Sequence, residues 1–165
     1  MESARRAESA DLSIVRALYD HAVAEKQDQR GGPVWSQREA RRGGSRSIVI
    51  DEADGRSALW VGEYAGAIVG FAGVEAEELA DGRLLGVVHE LYVLPDAREV
   101  GVGEMMMDAI VAWCSVKGCI GVDALALPGD RATKNFFETF GLVARAIVVH
   151  RSLLPAPHLV IPDLT

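Results

Sequence analysis

Two ionisable side chains, His89 and Glu90, stand side by side in an apolar run, VVHELYV, and eight residues after Glu90 the chain reads Arg98-Glu-Val-Gly101-Val-Gly103-Glu-Met-Met-Met. A histidine titrates near ~6.5, and burial brings a carboxyl up into the same range, so either can take a proton from a nucleophile at neutral pH. Regular strand alternation puts Val87, His89, Leu91 and Val93 on one face and Glu90 and Tyr92 on the other, unless a bulge swings Glu90 round. The glycines suit a different task. The first N–H groups of a helix lack internal partners and lie at the positive end of its dipole, and glycines clear a path for a diphosphate to reach them. Arg98 adds a fixed charge and a forked donor at the loop's entrance. Each feature also has a plainer reading: a satisfied core histidine, a glutamate held in an ion pair, a tight strand-to-helix turn.

Two well-known phosphate loops do not fit. A dinucleotide fingerprint wants a third glycine where Met106 stands, and a P-loop wants Gly-Lys-Ser/Thr where this chain has Gly103-Glu104-Met105. The stretch ELYVLPDAREVGVGEMMMDAI instead resembles the acetyl-coenzyme A motif of the GNAT superfamily of N-acetyltransferases, Gln/Arg-x-x-Gly-x-Gly/Ala, with Arg98, Gly101 and Gly103 in its three defined places. The order of elements over residues 10–153 is similar to that family as well.

The resemblance implies an α/β, GNAT-like fold with a mixed, mostly antiparallel central sheet and helices on both faces, and acetyl-CoA as co-substrate. It implies that the backbone amides of Glu99, Val100, Gly101, Val102, Gly103 and Glu104 hold the pyrophosphate. The pantetheine arm would pair with the backbone around Leu91 and Val93, where the strand splays from its parallel neighbour. The implied activity is transfer of an acetyl group to a primary amine, on a small molecule or a protein, by direct attack in a ternary complex. Such an amine has a pKa near ~10.4, so freeing it of its proton at pH 7 costs about 4–5 kcal/mol and calls for a base. Relatives carry that base four or six residues before the valine aligned with Val93. Those places hold His89 and Val87 here, which makes His89 the first candidate and Glu90 the second.

One departure stands out. Family members often carry Asn-x-x-Ala-x-x-Phe-Tyr-Glu-x-x-Gly-Phe, whose tyrosine returns a proton to the departing thiolate. This chain has DRATKNFFETFGL, with Asp130 for the asparagine and Phe137 for the tyrosine. A thiolate of pKa near ~8.5 leaves without much help, so losing that acid need not abolish activity. The departure also favours an alternative, an acyl-CoA-binding regulatory or interaction module with little turnover. Asp130, Lys134 and Phe137 share a helical stripe, from which Lys134 reaches a cofactor phosphate or simply stays exposed. Tyr92 lies on the wrong face to replace the missing acid, and neither Cys114 nor Cys119 has a basic partner nearby in sequence to make it a nucleophile.

These residues need elements to hold them. Apolar spacing predicts a helix from Leu12 to Glu25, capped by Ser9 or Asp11, and a short helix around Ser36–Arg42 between Gly-Gly breaks. Arg38, Arg41, Arg42 and Arg46 around that helix form an anion site or a solvated face. Strands are expected at Ala58–Tyr64, Ala67–Ala76 and Leu84–Val93, the last two joined at Asp81-Gly82. A helix from Gly103 to Val116 would bury Met105, Met106, Ala109, Ile110, Trp113 and Val116. A strand Ile120–Leu127, a helix Arg131–Phe140 closed by Gly141, and a long last strand Leu142–Leu153 follow. The stretch 84–127 should form a parallel crossover. Pro33, Val34 and Trp35 would lie on the substrate side. Glu75, Glu77 and Glu78 either draw in a cationic amine or are merely solvated.

A chain of 165 residues suits one domain over 1–165, with an extended tail from 154. The net charge of −7 argues against nucleic acid as a partner and is compatible with a cationic substrate. Two cysteines make neither a disulfide framework nor a metal-site spacing, so a reducing compartment and no metal are expected. The start lacks the apolar core of a signal peptide, and no run reaches the ~18 apolar residues of a membrane span, so the expected location is cytoplasmic, away from membranes. The long last strand and its apolar tail are compatible with a homodimer.

Overall fold

The computed structural model describes residues 1–40 and 55–155. Its centre is a five-stranded sheet in the order β1-β2-β3-β4-β5. The strands are β1 (Glu2–Arg6), β2 (Ser57–Tyr64), β3 (Ala67–Glu78), β4 (Leu84–Val93) and β5 (Cys119–Ala124). Neighbours β1 to β4 pair antiparallel, and β5 pairs with β4 in parallel. The helices are α1 (Leu12–Gln27), α2 (Gly32–Gln37), α3 (Val102–Val116) and α4 (Arg131–Thr139). Of these, α3 makes the crossover from β4 to β5, which a parallel pair requires.

Period-two alternation divides the sheet into two faces. Leu59, Val61, Phe71 and Tyr92 pack under Val15, Leu18 and Ala22 of α1. Ala58, Trp60, Ala72, Val74, Val88 and Val93 pack against Val102, Met106, Ile110 and Cys114 of α3. Helix α3 sits so close to the sheet that a Cβ on Gly62 would stand 2.4 Å from Val102 Cγ1 and 3.0 Å from Met106 Sδ. Gly62→Ala is therefore expected to destabilise the fold by about 1–3 kcal/mol, the usual cost of overpacking, read as a lower midpoint in urea unfolding.

Several expectations are corrected. Strand β1, unforeseen, pairs Glu2–Arg6 with Tyr64–Trp60 at the sheet's edge. A helix at Gly32–Gln37, started by Pro33, precedes and overlaps the short helix expected around Ser36–Arg42; within that span Glu39 and Ala40 are helical again after a turn at Arg38. Its predicted end at Arg42, with Arg41 and Arg46, lies outside the described residues; Arg38 pairs with Glu39. Asp11 does sit at the start of α1, but its carboxylate accepts the Glu8 N–H and the Arg5 guanidinium instead of capping that helix. On α3, Met105 and Val116 are exposed while Met107 and Cys114 are buried, because the helix presents a slightly rotated face to the sheet.

Residues 142–153 form no strand. Arg145 Nε–H reaches the Asp123 carboxylate at 2.8 Å, but no backbone ladder joins this segment to β5, and a strand exists only by pairing. Most of the tail expected over 154–165 lies outside the described residues. Among the described residues, no helix is long and apolar enough to cross a membrane.

Candidate active site

Beyond Val93 the chain makes a short turn at Pro95–Ala97 and enters α3 through two left-handed residues, Glu99 at φ 67° and Gly101 at φ 92°. Left-handed residues of this kind turn successive N–H groups to one side, making a concavity suited to an anion. The helix closes its first bond only at Met105, whose N–H donates to Gly101 C=O at 3.0 Å. The amides of Val102, Gly103 and Glu104 thus have no partner within α3. A Cβ on Gly103 would stand 3.3 Å from Phe136 Cε2 and 3.8 Å from Val93 Cγ2. The bare helix start therefore abuts the end of β4 and is bordered by the Phe136 ring of α4.

Strands β4 and β5 part company beside it. Their ladder ends at the Val88–Ala124 pair, while β4 continues to Val93. Leu94 N–H donates to Val69 C=O at 2.9 Å, so by antiparallel alternation Leu91 and Val93 turn their peptide groups away from β3, toward the gap. The Val93 C=O is taken by Arg98 Nε–H at 2.9 Å. Leu91 therefore offers both its N–H and C=O to a guest, and Val93 its N–H alone.

Arg98 does more than add charge. Besides Val93, it bonds Glu25 of α1 at 2.8 Å, and its guanidinium lies 5.5 Å from the Tyr92 ring centroid. Tyr92 O–H donates to the same Glu25 oxygen at 3.1 Å. Arg98 first, and Tyr92 with it, holds the Glu25 carboxyl below the usual range, while burial and then Glu25 push the Tyr92 phenol up. This knot ties α1, the end of β4 and the glycine loop together.

The register of β4 slips at His89: Val88 faces Val74, Glu90 faces Gly73, and His89 has no opposite residue. That bulge corrects the expected alternation. Val88 and Val93 pack on the α3 face together with Leu91, whereas Tyr92 belongs to the α1 face. Glu90 is turned toward Lys26 of α1, 3.9 Å away. His89 does not simply share the face of Leu91 and Val93; its Nε2 contacts Glu75 Oε2 at 3.0 Å. Glu90 is only 3% exposed, and among the described residues neither of its oxygens has a hydrogen-bond partner. Burial, offset in part by Lys26, pushes this carboxyl up to about 7.

Sequence reasoning missed Glu25 and Lys26. Both lie on the last turns of α1, far from the motif, and nothing in their local spacing marks them. Lys26 Nζ also lies 5.0 Å from the ring centroid of Trp35, which is buried. Lys134 pairs with Glu138 one helical turn on. Asp130 caps α4 through the Thr133 N–H at 3.1 Å, and Phe137 is buried against Phe136. Cys114 and Cys119 are free thiols, and burial, then Cys119, pushes Cys114 up to about 12, which keeps it from acting as a nucleophile.

A sequence model for an acetyltransferase (GNAT) domain matches residues 55–142, more than half of the chain. No curated protein sequence matches. Among solved structures, a mutant of the BH1408 protein of Bacillus halodurans superposes with TM-score 0.74 over 92% of this chain and 99% of that one, at 17% identity. The aminoglycoside N-acetyltransferase AAC(6')-Iy in complex with CoA does so with TM-score 0.65, over 91% and 98%, also at 17% identity. Glucosamine-6-phosphate N-acetyltransferase from Arabidopsis thaliana gives 0.62 over 93% and 99%, at 18% identity. At such identities these three are similar in fold.

Proposed function

Because the chain belongs to the GNAT acetyltransferase family, we propose that it moves an acetyl group from acetyl-CoA to a primary amine by direct attack in a ternary complex. The observation that carries this reading is the parting of β4 and β5 after Val88, directly beside the bare start of α3. An extended amide-bearing arm with a diphosphate at one end fits that arrangement: the strand edge takes the arm and the helix start takes the charge. The amides of residues 99–104 hold the pyrophosphate, and Leu91 and Val93 hold the pantetheine. Acetyl-CoA supplies the thioester carbonyl that the amine attacks.

The proton is handled at the bulge. Glu90, pushed up to about 7, sits near the operating pH, where a general base works best. Among the described residues its two oxygens have no hydrogen-bond donor, so an incoming ammonium would supply the missing bond and then surrender a proton there. Lys26 keeps part of the carboxyl population ionised and ready to accept it. No tyrosine stands at Phe137, and the thiolate leaves unaided or through water, as its pKa near ~8.5 allows. The acidic side chains Glu75 and Glu90 favour a cationic amine.

His89 remains a second candidate for the base because of its 3.0 Å contact with Glu75, which would orient the ring. With purified protein and a panel of amines, His89→Ala is expected to lower kcat about tenfold, and Glu90→Gln by at least about 10²-fold. The reverse order assigns the base to His89. Stabilisation by acetyl-CoA without turnover of any amine would favour the binding-module reading. No stabilisation, on protein confirmed free of ligand, would overturn both.

A further inference from the structure

The chain has three lysines, Lys26, Lys117 and Lys134, in unlike surroundings. Lys117 and Lys134 are exposed, so a reagent arriving from bulk solution meets them first. Lys26 is largely enclosed, with 16% of its side chain exposed. Its Nζ lies 3.9 Å from Glu90 Oε2 and 5.0 Å from the ring centroid of the buried Trp35. The candidate site thus already holds a primary amine, facing its buried carboxyl.

The fold brings the acyl donor to the same place. The start of α3 lies past the end of β4, so an arm that begins at a pyrophosphate there and pairs with Val93 and then Leu91 runs back along β4 toward Glu90. The last turn of α1 is fixed beside that path. Glu25 bonds Arg98 of the glycine loop at 2.8 Å and accepts the Tyr92 O–H at 3.1 Å, which anchors the backbone of the next residue, Lys26. Such anchoring keeps the amine near a bound thioester, where proximity replaces a bimolecular encounter. At 3.9 Å Lys26 and Glu90 form an ion pair without a hydrogen bond, and neither Glu90 oxygen has a donor among the described residues. Rotation of the flexible lysine stem closes that distance.

Resting on the acetyltransferase reading above, we propose that Lys26 is itself an acetyl acceptor: with acetyl-CoA bound and no amine in the site, the chain acetylates its own Lys26. The ammonium gives one proton to the Glu90 carboxylate, which passes it to solvent. The freed Nζ lone pair attacks the thioester carbonyl carbon and displaces the coenzyme A thiolate, so a carbon–nitrogen bond forms and the carbon–sulfur bond breaks. The second proton shed by the nitrogen ends on that sulfur. The products are Nε-acetyl-Lys26 and the free thiol of coenzyme A.

Protein confirmed unacetylated by intact mass should gain one acetyl group on incubation with acetyl-CoA alone, and peptide mapping should place it on Lys26. Base catalysis should label Lys26 about 10²-fold faster than Lys117 and Lys134, at a rate independent of protein concentration. Glu90→Gln should lose that advantage, and Lys26→Arg should remove the label. Labelling of Lys117 and Lys134 as fast as Lys26 would overturn the proposal. So would a rate that rises with protein concentration, which means transfer between copies. Turnover of a panel of amines with Lys26 unlabelled would overturn it and leave the acetyltransferase reading standing. Neither label nor turnover would overturn it too, and stabilisation by acetyl-CoA then decides that reading. Should the variants fail to fold, the relative labelling of the three lysines in the wild-type protein decides alone.

Discussion

Glu90→Gln is expected to lower kcat for amine acetylation by about 10²- to 10⁴-fold, the range of a lost general base, and at the same time to make the protein more stable above pH 7. Both effects come from one buried carboxyl. Its folded pKa of about 7 lies above the value near ~4.3 of an unfolded glutamate, so between those values the folded chain holds a proton that the unfolded chain releases. The resulting stabilisation is complete below pH ~4 and is lost as the pH rises through 7. At about 1.4 kcal/mol per pH unit, the loss is on the order of 4 kcal/mol. Glutamine keeps the shape and removes the charge. The variant should therefore match the wild type near pH 4 and exceed it at pH 8, in urea unfolding at the two pH values. Lys26 keeps its seat over Trp35 in the variant and so does not become a bare buried charge. Equal stability gaps at both pH values would mean that burial does not raise the Glu90 carboxyl, and full activity would remove it from the chemistry.

Gly101→Val should weaken acetyl-CoA binding about 10²-fold. Gly101 has φ 92°, and a β-branched residue there costs about 1–2 kcal/mol or forces the loop to a new shape. Either way the N–H groups at the start of α3 no longer converge. Losing two charge-assisted hydrogen bonds at ~1.5 kcal/mol each weakens binding about 10²-fold. Gly82→Val is the matched control. Gly82 has φ 83° at the β3–β4 hairpin tip, with nothing within 4 Å of an added Cβ, so it should lose stability and keep binding. Titration calorimetry of both variants separates strain from lost contact. Similar affinities for acetyl-CoA in the two would show that the pyrophosphate does not sit at α3.

How much of this was legible in the sequence depends on distance along the chain. Strand β4 was read to its last residue and β2 to within one, because local alternation, the Asp81-Gly82 turn and the proline after Leu94 all mark them. The start of α3 was equally plain, since glycines spaced by one residue behind a Pro-Asp turn have few other uses. Strand β1 was not, because Glu-Ser-Ala-Arg-Arg is neither apolar nor β-branched, and it is a strand only by virtue of β2, with Glu2 opposite Tyr64. The bulge at His89 was invisible for a related reason: an extra residue leaves no mark on composition and shows only against the partner strand. Strict alternation therefore puts Glu90 and Tyr92 on the α1 side, where they lie, but misplaces His89. Glu25 lies 73 residues from the Arg98 it binds, and no local pattern records such a pair. Residues 142–153 have the composition of a strand, yet composition cannot say whose edge they would pair with.

The place of β1 in the sheet also bears on how the protein is made. During synthesis β1 leaves the ribosome long before β2, its neighbour in the sheet, and both α1 and α2 emerge in between. Until residues 57–78 are available, the apolar side of α1 has no sheet to lie on. The local β2–β3–β4 meander closes short loops and can form early, whereas joining β1 to β2 closes a long one. The nascent chain thus carries a stretch of greasy helix in need of shelter, and β1, though made before its neighbour, is among the last elements to be fastened.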